Sequence, residues 1–260
     1  MKIIQRLLDI IFPSDCTGCG ERPAEKYSLC SECRKKYISE GFEKCTVCGE
    51  NVMKCICSND YIPHASTLIG GYSYCILTFY KSFSGFGHSE RITEKMIYAL
   101  KERGEYADLF ADEMTRELER LFRRADEDIS EWIITYPPRS AVKFKRYGFD
   151  QCELVVKQVS KKLGIPYVRV FERTDGEEQK SLGAQDRAVN ADSTLRIRKD
   201  LVKQGGKYIV FDDIITTGST ISTAARHLYF CGASAVFPAA IAKSMTKEKI
   251  KGDSYDKRNA

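Results

Sequence analysis

The chain has 260 residues, of which 43% are hydrophobic and 30% are charged. This composition is typical of a globular domain and excludes a collagen, a wholly disordered chain and a polytopic membrane protein. Its net charge of +5 permits an anionic ligand but does not by itself indicate nucleic acid. The length predicts one large domain, or one medium domain joined to a small one.

Apolar residues near the N-terminus recur at helical spacing, and charged residues interrupt them. This pattern predicts a short amphipathic helix that docks on its own domain, and it is not typical of a signal peptide. No segment approaches the 18 or so apolar residues that span a bilayer. We therefore expect a cytoplasmic protein with no membrane span. The helical pattern comprises Ile3, Ile4, Leu7, Leu8 and Ile11.

Eight of the eleven cysteines form four closely spaced pairs between positions 16 and 57. Thiols stay reduced in the cytosol, so the pairs predict metal binding rather than disulfides. Two C-x-x-C pairs complete a tetrahedral four-thiolate zinc site, which is closed and therefore structural. We expect about two zinc ions, and the pairing is either sequential or interleaved. The predicted ligands are Cys16, Cys19, Cys30, Cys33, Cys45, Cys48, Cys55 and Cys57.

Residues 1–60 carry nine basic and nine acidic side chains, and thiolates that bind zinc make this segment more negative. A module with this charge favours a protein partner over direct contact with duplex DNA. We predict three parts: a zinc-ribbon module with its amphipathic helix at 1–60, an α/β domain at 61–245, and a solvated tail at 246–260.

The second part alternates between strand-like and helix-like segments, which predicts a mostly parallel sheet with helices on both faces. Ligands of such sheets bind beyond the carboxyl ends of the strands. Strands are predicted at 66–80, 131–136, 167–171, 194–197, 207–211 and 233–242. Helices are predicted at 90–102, 106–124, 151–163 and 219–231, with Gly164 ending the third.

The segment from Lys207 to Thr220 reads KYIVFDDIITTGST. A buried strand leads to two adjacent carboxylates, Asp212 and Asp213, and a loop rich in hydroxyl groups and a helix follow. The loop amides and the helix N-terminus form an anion site. Two carboxylates would repel a bare phosphate, but they can accept hydrogen bonds from the diol of a sugar that carries the phosphate. The segment therefore predicts a ribose 5-phosphate site. The predicted phosphate contacts are Thr216, Thr217, Gly218, Ser219 and Thr220.

This segment resembles the loop that binds 5-phosphoribosyl-1-pyrophosphate (PRPP) in type I phosphoribosyltransferases. The order of parts resembles the ComF (ComF/GntX) family, which joins an N-terminal zinc module to such a domain and is associated with competence and DNA uptake. Three residues depart from the family pattern: Tyr136, Tyr147 and Asp150. The resemblance is carried by the opening LLDIIFPSDCTGCG, by Leu100-Lys101 with Gly104, by the stretch from Pro137 to Gln151, and by Gln179, Leu182, Arg187 and Asn190.

The resemblance implies a fold of the type I phosphoribosyltransferase kind and roles for particular residues. Asp212 and Asp213 would bind the ribose hydroxyls, and Pro138 and Arg139 would lie near the pyrophosphate, whose oxygens bind Mg²⁺. Arg187 lies in the polar segment 174–190, which suits a mobile cover; it would close on the pyrophosphate or be a solvated loop arginine.

Three functions remain open at this stage. The first is a phosphoribosyltransferase with an unknown acceptor, and the second is a PRPP-responsive regulator without catalysis. The third, implied by the family, is a DNA-uptake module whose partner is a helicase, another competence protein or single-stranded DNA. The basic run that would neutralise pyrophosphate or contact a nucleic acid comprises Arg139, Lys143, Lys145 and Arg146.

Overall fold

The computed structural model describes residues 15–21, 29–40, 75–80, 92–174, 194–216 and 218–244. The helices are α1 (Ser31–Glu40), α2 (Ile92–Arg103), α3 (Ala107–Arg124), α4 (Ala141–Tyr147), α5 (Gln151–Leu163) and α6 (Ser219–Phe230). The strands are β1 (Cys75–Tyr80), β2 (Trp132–Thr135), β3 (Phe171–Arg173), β4 (Leu195–Ile197), β5 (Lys207–Ile215) and β6 (Ala235–Ser244).

Four strands form a parallel sheet in the order β1-β6-β5-β2. Strand β5 is interior, and Val210 pairs with Thr135 of β2 on one side and with Pro238 of β6 on the other. Strands β3 and β4 form a separate antiparallel pair. The predicted α/β fold with a mostly parallel sheet is therefore confirmed.

Successive side chains of β5 enter two different hydrophobic clusters because a strand directs alternate residues to opposite faces. Ile209 and Phe211 belong to the cluster that contains residues of α2, α3 and α5. Tyr208 and Val210 belong to the cluster built with α6, β3 and β4. This alternation decides which neighbours meet each residue near the end of the strand.

Helix α5 begins and ends where the sequence predicts, and both ends have a local cause. The Asp150 carboxylate accepts hydrogen bonds from the backbone N–H groups of Cys152, at 2.9 Å, and Glu153, at 3.4 Å. Gly164 then adopts a left-handed conformation with φ of 69°, which glycine favours after a helix. The Asp150 cap also fixes the chain just before Gln151, whose side chain enters the candidate site.

Two strands differ most from the sequence predictions. The strand predicted at 207–211 continues through Ile215, because residues as far as Ile215 pair with β6. The strand predicted at 167–171 is displaced: Tyr167 forms only an isolated bridge with Ile134, and β3 starts at Phe171. Both differences arise because backbone pairing with a neighbouring strand, rather than side-chain pattern, sets the ends of short strands.

Helix α4 was not predicted, since its residues form a basic run without an apolar stripe. The Ser140 hydroxyl caps its start by accepting from the Lys143 N–H, and Gly148 ends it with φ of 77°. Residues 141–146 are all exposed. The predicted N-terminal helix and tail, and the segment 66–74 of the first predicted strand, lie outside the described residues.

The N-terminal cysteine loop packs on the α/β domain through α2 and α3. The Lys95 ammonium donates to the Gly18 carbonyl at 2.5 Å, and the Thr17 hydroxyl donates to Glu105 at 3.2 Å. The hydroxyl of Tyr37, on α1, donates to the Glu113 carboxylate. Within the described ranges, no helix has the length and apolar character needed to cross a membrane.

Candidate functional site

Four cysteines of the N-terminal loop form a cluster whose geometry matches a zinc site. The sulfur atoms of Cys16, Cys19, Cys30 and Cys33 all lie within 4.8 Å of one another. The Cys19 and Cys30 sulfurs are 4.0 Å apart, close to the roughly 3.8 Å that a tetrahedral ion with 2.3 Å zinc–sulfur bonds requires. The first two pairs therefore meet at one site, as sequential pairing predicts.

Backbone N–H groups point at the sulfurs of this cluster. The Cys30 N–H donates to Cys16 Sγ at 3.2 Å, and the Cys33 N–H donates to Cys30 Sγ at 3.5 Å. Burial raises the pKa of the Cys16 thiol, but hydrogen bonds from backbone N–H groups outweigh it and lower that pKa to about 6. Burial and the neighbouring sulfurs raise the pKa of Cys33. Thiolates this close repel one another, so the donor set suits a divalent cation.

Gly18 allows the loop to close around the sulfurs. A Cβ atom at this position would lie 2.6 Å from Cys33 Sγ and 3.1 Å from the Ile92 side chain. The contact with Cys33 is too short for a carbon, and Cys33 is held in the cluster, so the position favours glycine. At Gly18 the loop thus packs against Cys33 of the sulfur cluster on one side and against Ile92 of α2 on the other.

The acidic pair, Asp212 and Asp213, lies inside the carboxyl-terminal part of β5 and beyond the end of β2. Strand β2 ends at Thr135, which pairs with Val210, whereas β6 still pairs with Asp212 through Ala240. Because successive side chains of a strand lie on opposite faces, Asp213 lies on the face covered by α2 and α5, and Asp212 lies on the face nearest β3. The two carboxylates therefore have different neighbours.

Asp213 is held by three donors. Its Oδ2 atom accepts from Gln151 Nε2 at 2.5 Å and lies 3.4 Å from Lys101 Nζ. Its Oδ1 atom accepts from the Ile214 N–H at 2.6 Å. Asp213 is 7% exposed, so these protein groups surround most of its carboxylate. Sequence reasoning assigned no site role to Lys101 or Gln151, although both lie in segments that carry the family resemblance.

Asp212 is half-buried, and its Oδ1 atom accepts from the Asp213 N–H at 2.9 Å. Burial and the adjacent Asp213 charge raise the pKa of the Asp212 carboxyl to about 7, against the opposing charges of Arg173 and Lys101. Among the described residues, no cation lies within 4 Å of Asp212. This carboxyl group therefore changes charge near neutral pH.

Arg139 joins the turn after β2 to the end of α2. Its guanidinium donates to the Lys101 carbonyl at 2.5 Å and to the Phe149 carbonyl at 3.3 Å, and it stacks over the Tyr147 ring at 4.7 Å. Its backbone N–H donates to Asp150 at 2.7 Å. The turn that contains Arg139 is thus hydrogen-bonded to the backbone of Lys101, whose ammonium group lies beside Asp213.

Pro138 lies on the same turn, and its carbonyl accepts from Arg173 Nε of β3 at 2.8 Å. Arg173 also contributes positive charge near Asp212. The turn predicted to lie near pyrophosphate is therefore held between α2 and β3, next to the acidic pair.

The loop after β5 continues into α6 at the carboxyl edge of the sheet. Gly218 is buried, adopts a left-handed conformation with φ of 76°, and begins α6 with no side-chain cap. Thr216 is exposed, and Ser219 and Thr220 are half-buried. The described part of this loop therefore places hydroxyl groups and a helix N-terminus directly after the acidic pair in the chain.

Several predicted site residues lie outside the described part of the chain. They are Cys45, Cys48, Cys55, Cys57, Arg187 and Thr217.

Comparison with known proteins supports the N-terminal assignment. The family model of the double zinc ribbon domain matches residues 7–65, which include the four-cysteine cluster. No curated protein matches the chain.

Among solved structures, the likeness is distant. A structure of adenine phosphoribosyltransferase is 18% identical with a TM-score of 0.37, and the match covers 56% of this chain and 74% of that one. The Saccharomyces cerevisiae adenine phosphoribosyltransferase, complexed with adenine and an imino-altritol bisphosphate, is 19% identical with a TM-score of 0.35 and covers 56% and 72%. An allosteric regulatory enzyme of purine biosynthesis is 19% identical with a TM-score of 0.29, and the match spans 42% of this chain but only 21% of that enzyme.

Proposed function

We propose that the α/β domain binds PRPP with Mg²⁺ and transfers its phosphoribosyl group. The observation that carries this proposal is the acidic pair near the carboxyl end of β5, with Gly218 and the start of α6 directly after it. A carboxylate accepts hydrogen bonds from ribose hydroxyls, while loop amides and a helix N-terminus bind a phosphate. PRPP carries both groups, a ribose diol and a 5′-phosphate.

Phosphoribosyl transfer breaks the bond from C1 of the ribose to pyrophosphate and forms a bond from C1 to an acceptor. The sugar becomes positively charged in between, so the protein contributes mainly by positioning both partners and by neutralising the leaving group. Mg²⁺, when bound to the pyrophosphate oxygens, would offset their charge. The acidic pair would orient the ribose, and Arg139 with Arg187 would serve the pyrophosphate side.

Calorimetry with Mg-PRPP tests the binding step. The intact protein is expected to bind, and the double variant Asp212→Asn with Asp213→Asn is expected to lose binding while its circular dichroism spectrum stays unchanged. Equal affinity in the double variant rejects the acidic pair as the ribose site. Absence of binding by the intact protein rejects the proposed function.

Catalysis is separated from a purely regulatory role by turnover. Incubation of radiolabelled PRPP with a panel of nucleobases is expected to release pyrophosphate with at least one acceptor. Binding without release on any acceptor identifies a PRPP-responsive regulator instead.

A second candidate function, handling of incoming DNA, is favoured by the exposed face of α4. Lys143, Lys145 and Arg146 are exposed on this helix, and Phe144 between them is 46% exposed. Clustered cations with an exposed aromatic ring suit the backbone and bases of a single strand. The resemblance to the ComF family supports the same role, and the balanced charge of residues 1–60 favours a protein partner, such as a helicase, for the zinc module.

Binding of fluorescent oligothymidine tests direct DNA contact. We expect affinity that falls steeply with salt, and a further loss in the variant Lys143→Glu with Lys145→Glu. Unchanged affinity in this variant rejects α4 as the contact surface. Normal transformation after deletion of the gene in a competent source organism rejects the DNA-uptake role.

A further inference from the structure

Lys101 occupies a position that links two parts of the candidate site. It lies in the last turn of α2, and its Nζ atom is 3.4 Å from Asp213 Oδ2, while its carbonyl accepts from Arg139 at 2.5 Å. Its side chain is 32% exposed and that of Asp213 is 10% exposed, so water screens this ion pair only in part. No other ammonium group of the described residues lies within 4 Å of the acidic pair.

The two carboxylates are unequal in their protein contacts. Asp213 meets Lys101 and Gln151 on the face of α2 and α5, and the Ile214 N–H occupies its second oxygen. Asp212 faces the side of β3, where Arg173 lies at a longer distance. A carboxylate already bound by three protein donors has less capacity for a ligand hydroxyl than Asp212, which accepts from one backbone N–H in the part of the chain that the structure describes.

We propose that Lys101 is a positioning residue that holds the Asp213 carboxylate in place through their ion pair, so that Asp212 is the carboxyl group that binds the ribose hydroxyls. This inference rests on the proposed function, because it divides the ribose site between the two acids.

The electrostatics of the pair follow from the groups that face it. Lys101 of α2 and Arg173 of β3 favour the ionised form of Asp212, whereas Asp150 and Cys152 at the start of α5 supply no positive charge. Adjacent carboxylates repel each other, and this repulsion together with burial disfavours double ionisation. The Lys101 charge lowers the pKa of Asp212, so removing that charge is expected to raise the pKa of Asp212.

The direction of the pH effect follows from this change. A ribose hydroxyl donates to an ionised carboxylate, and protonation of Asp212 removes that acceptor. The pKa of Asp212 is about 7 in the intact protein and higher without Lys101. Replacing Lys101 by methionine is therefore expected to weaken Mg-PRPP binding most at low pH, and least at a pH above both pKa values.

Calorimetric affinities for Mg-PRPP from about pH 6 to about pH 9 bracket this titration. PRPP itself titrates in this range, so the measured quantity is the ratio of variant to intact affinity, in which the ligand's titration cancels. For Lys101→Met we expect a loss of about tenfold at pH 6 that shrinks to about twofold at pH 9. Lys101→Arg, which keeps the charge, is expected to restore most of the affinity at both ends.

Lys207→Met is the matched control. Lys207 is also ion-paired on β5, with Glu127 and Glu131, but lies six residues before Asp213, or about 20 Å along the strand. The ratio of the Mg-PRPP affinity of Lys207→Met to that of the intact protein is expected to stay near one at every pH. A loss in Lys101→Met that does not change with pH overturns the proposal, because it indicates a structural role only.

Carboxyl ¹³C NMR titration of the ligand-free protein tests the same inference without PRPP. The Asp212 midpoint is expected to rise in Lys101→Met and to stay unchanged in Lys207→Met. An unchanged midpoint in Lys101→Met overturns the inference even if PRPP binds. If the Asp212 midpoint rises in Lys101→Met but the intact protein does not bind PRPP, the electrostatic role of Lys101 stands and only the proposed function is rejected.

Discussion

The cysteine cluster and the acidic pair are built in different ways. All four cysteines of the cluster lie between positions 16 and 33, so short loops bring them together. The acidic pair depends on Lys101 and Gln151, and Gln151 is 62 positions away from Asp213 in the chain. The cluster is therefore a local structure that a metal ion can organise, whereas the environment of the acids exists only when the sheet and its helices are packed.

Helix α2 contacts both regions. Lys95, in its first half, donates to the Gly18 carbonyl of the cysteine loop, and Lys101, in its last turn, pairs with Asp213. This shared helix makes it possible to ask whether the two regions depend on each other. Substitutions in the cysteine cluster, in the acidic pair and in the contact between α2 and the cysteine loop separate the two regions.

The largest effect is expected from loss of a zinc ligand. Metal analysis of the intact protein should give about two zinc ions per chain, and Cys30→Ser should retain about one. Structural zinc contributes about 10–16 kcal/mol to the folding of small zinc-binding peptides, so the loop is expected to unfold locally in this variant. Cys231→Ser, which alters a buried cysteine outside the cluster, should keep the full zinc content. Equal zinc content in Cys30→Ser contradicts the ligand assignment, and a content of about one in the intact protein excludes the second site.

The acidic pair should respond unequally to single substitutions. Asp212→Asn is expected to weaken Mg-PRPP binding by about 100-fold with little change in the free energy of unfolding, because it removes a charged acceptor from the ligand. Asp213→Asn is expected to lower the free energy of unfolding by about 1–3 kcal/mol, because Lys101 loses its buried partner. Urea unfolding and calorimetry on both variants measure the two quantities. If the two variants lose the same Mg-PRPP affinity and the same free energy of unfolding, the assignment of ligand binding to Asp212 and of a structural role to Asp213 is contradicted.

The smallest effect is expected from Lys95→Met, which removes the contact between α2 and the cysteine loop. One hydrogen bond from a charged donor at an exposed position is worth about 1 kcal/mol. Amide hydrogen exchange in the loop should become faster, while zinc content and Mg-PRPP affinity stay within about twofold. A large drop in PRPP affinity contradicts independence and indicates that α2 couples the two regions.

Much of the fold follows from local sequence patterns. The alternation of strands and helices predicts the parallel sheet, and Gly164 predicts the end of α5, because each depends on a few neighbouring residues. The missed helix α4 has no apolar stripe to reveal it, since all of residues 141–146 are exposed. Its cap and its final glycine are the only local signals.

The order of residues by itself predicts a metal site, because C-x-x-C spacing directs two sulfurs to one ion, and a ribose phosphate site, because two carboxylates precede a glycine-bearing loop. Only the tertiary structure decided how the two acids differ. Strand β5 continues to Ile215 because β6 pairs with it, and this extension directs Asp213 toward Lys101 and Gln151 and directs Asp212 to the opposite face. The spacing of residues along the chain does not say which distant segments meet, so packing decides that Lys101 and Gln151 contact Asp213 and not Asp212.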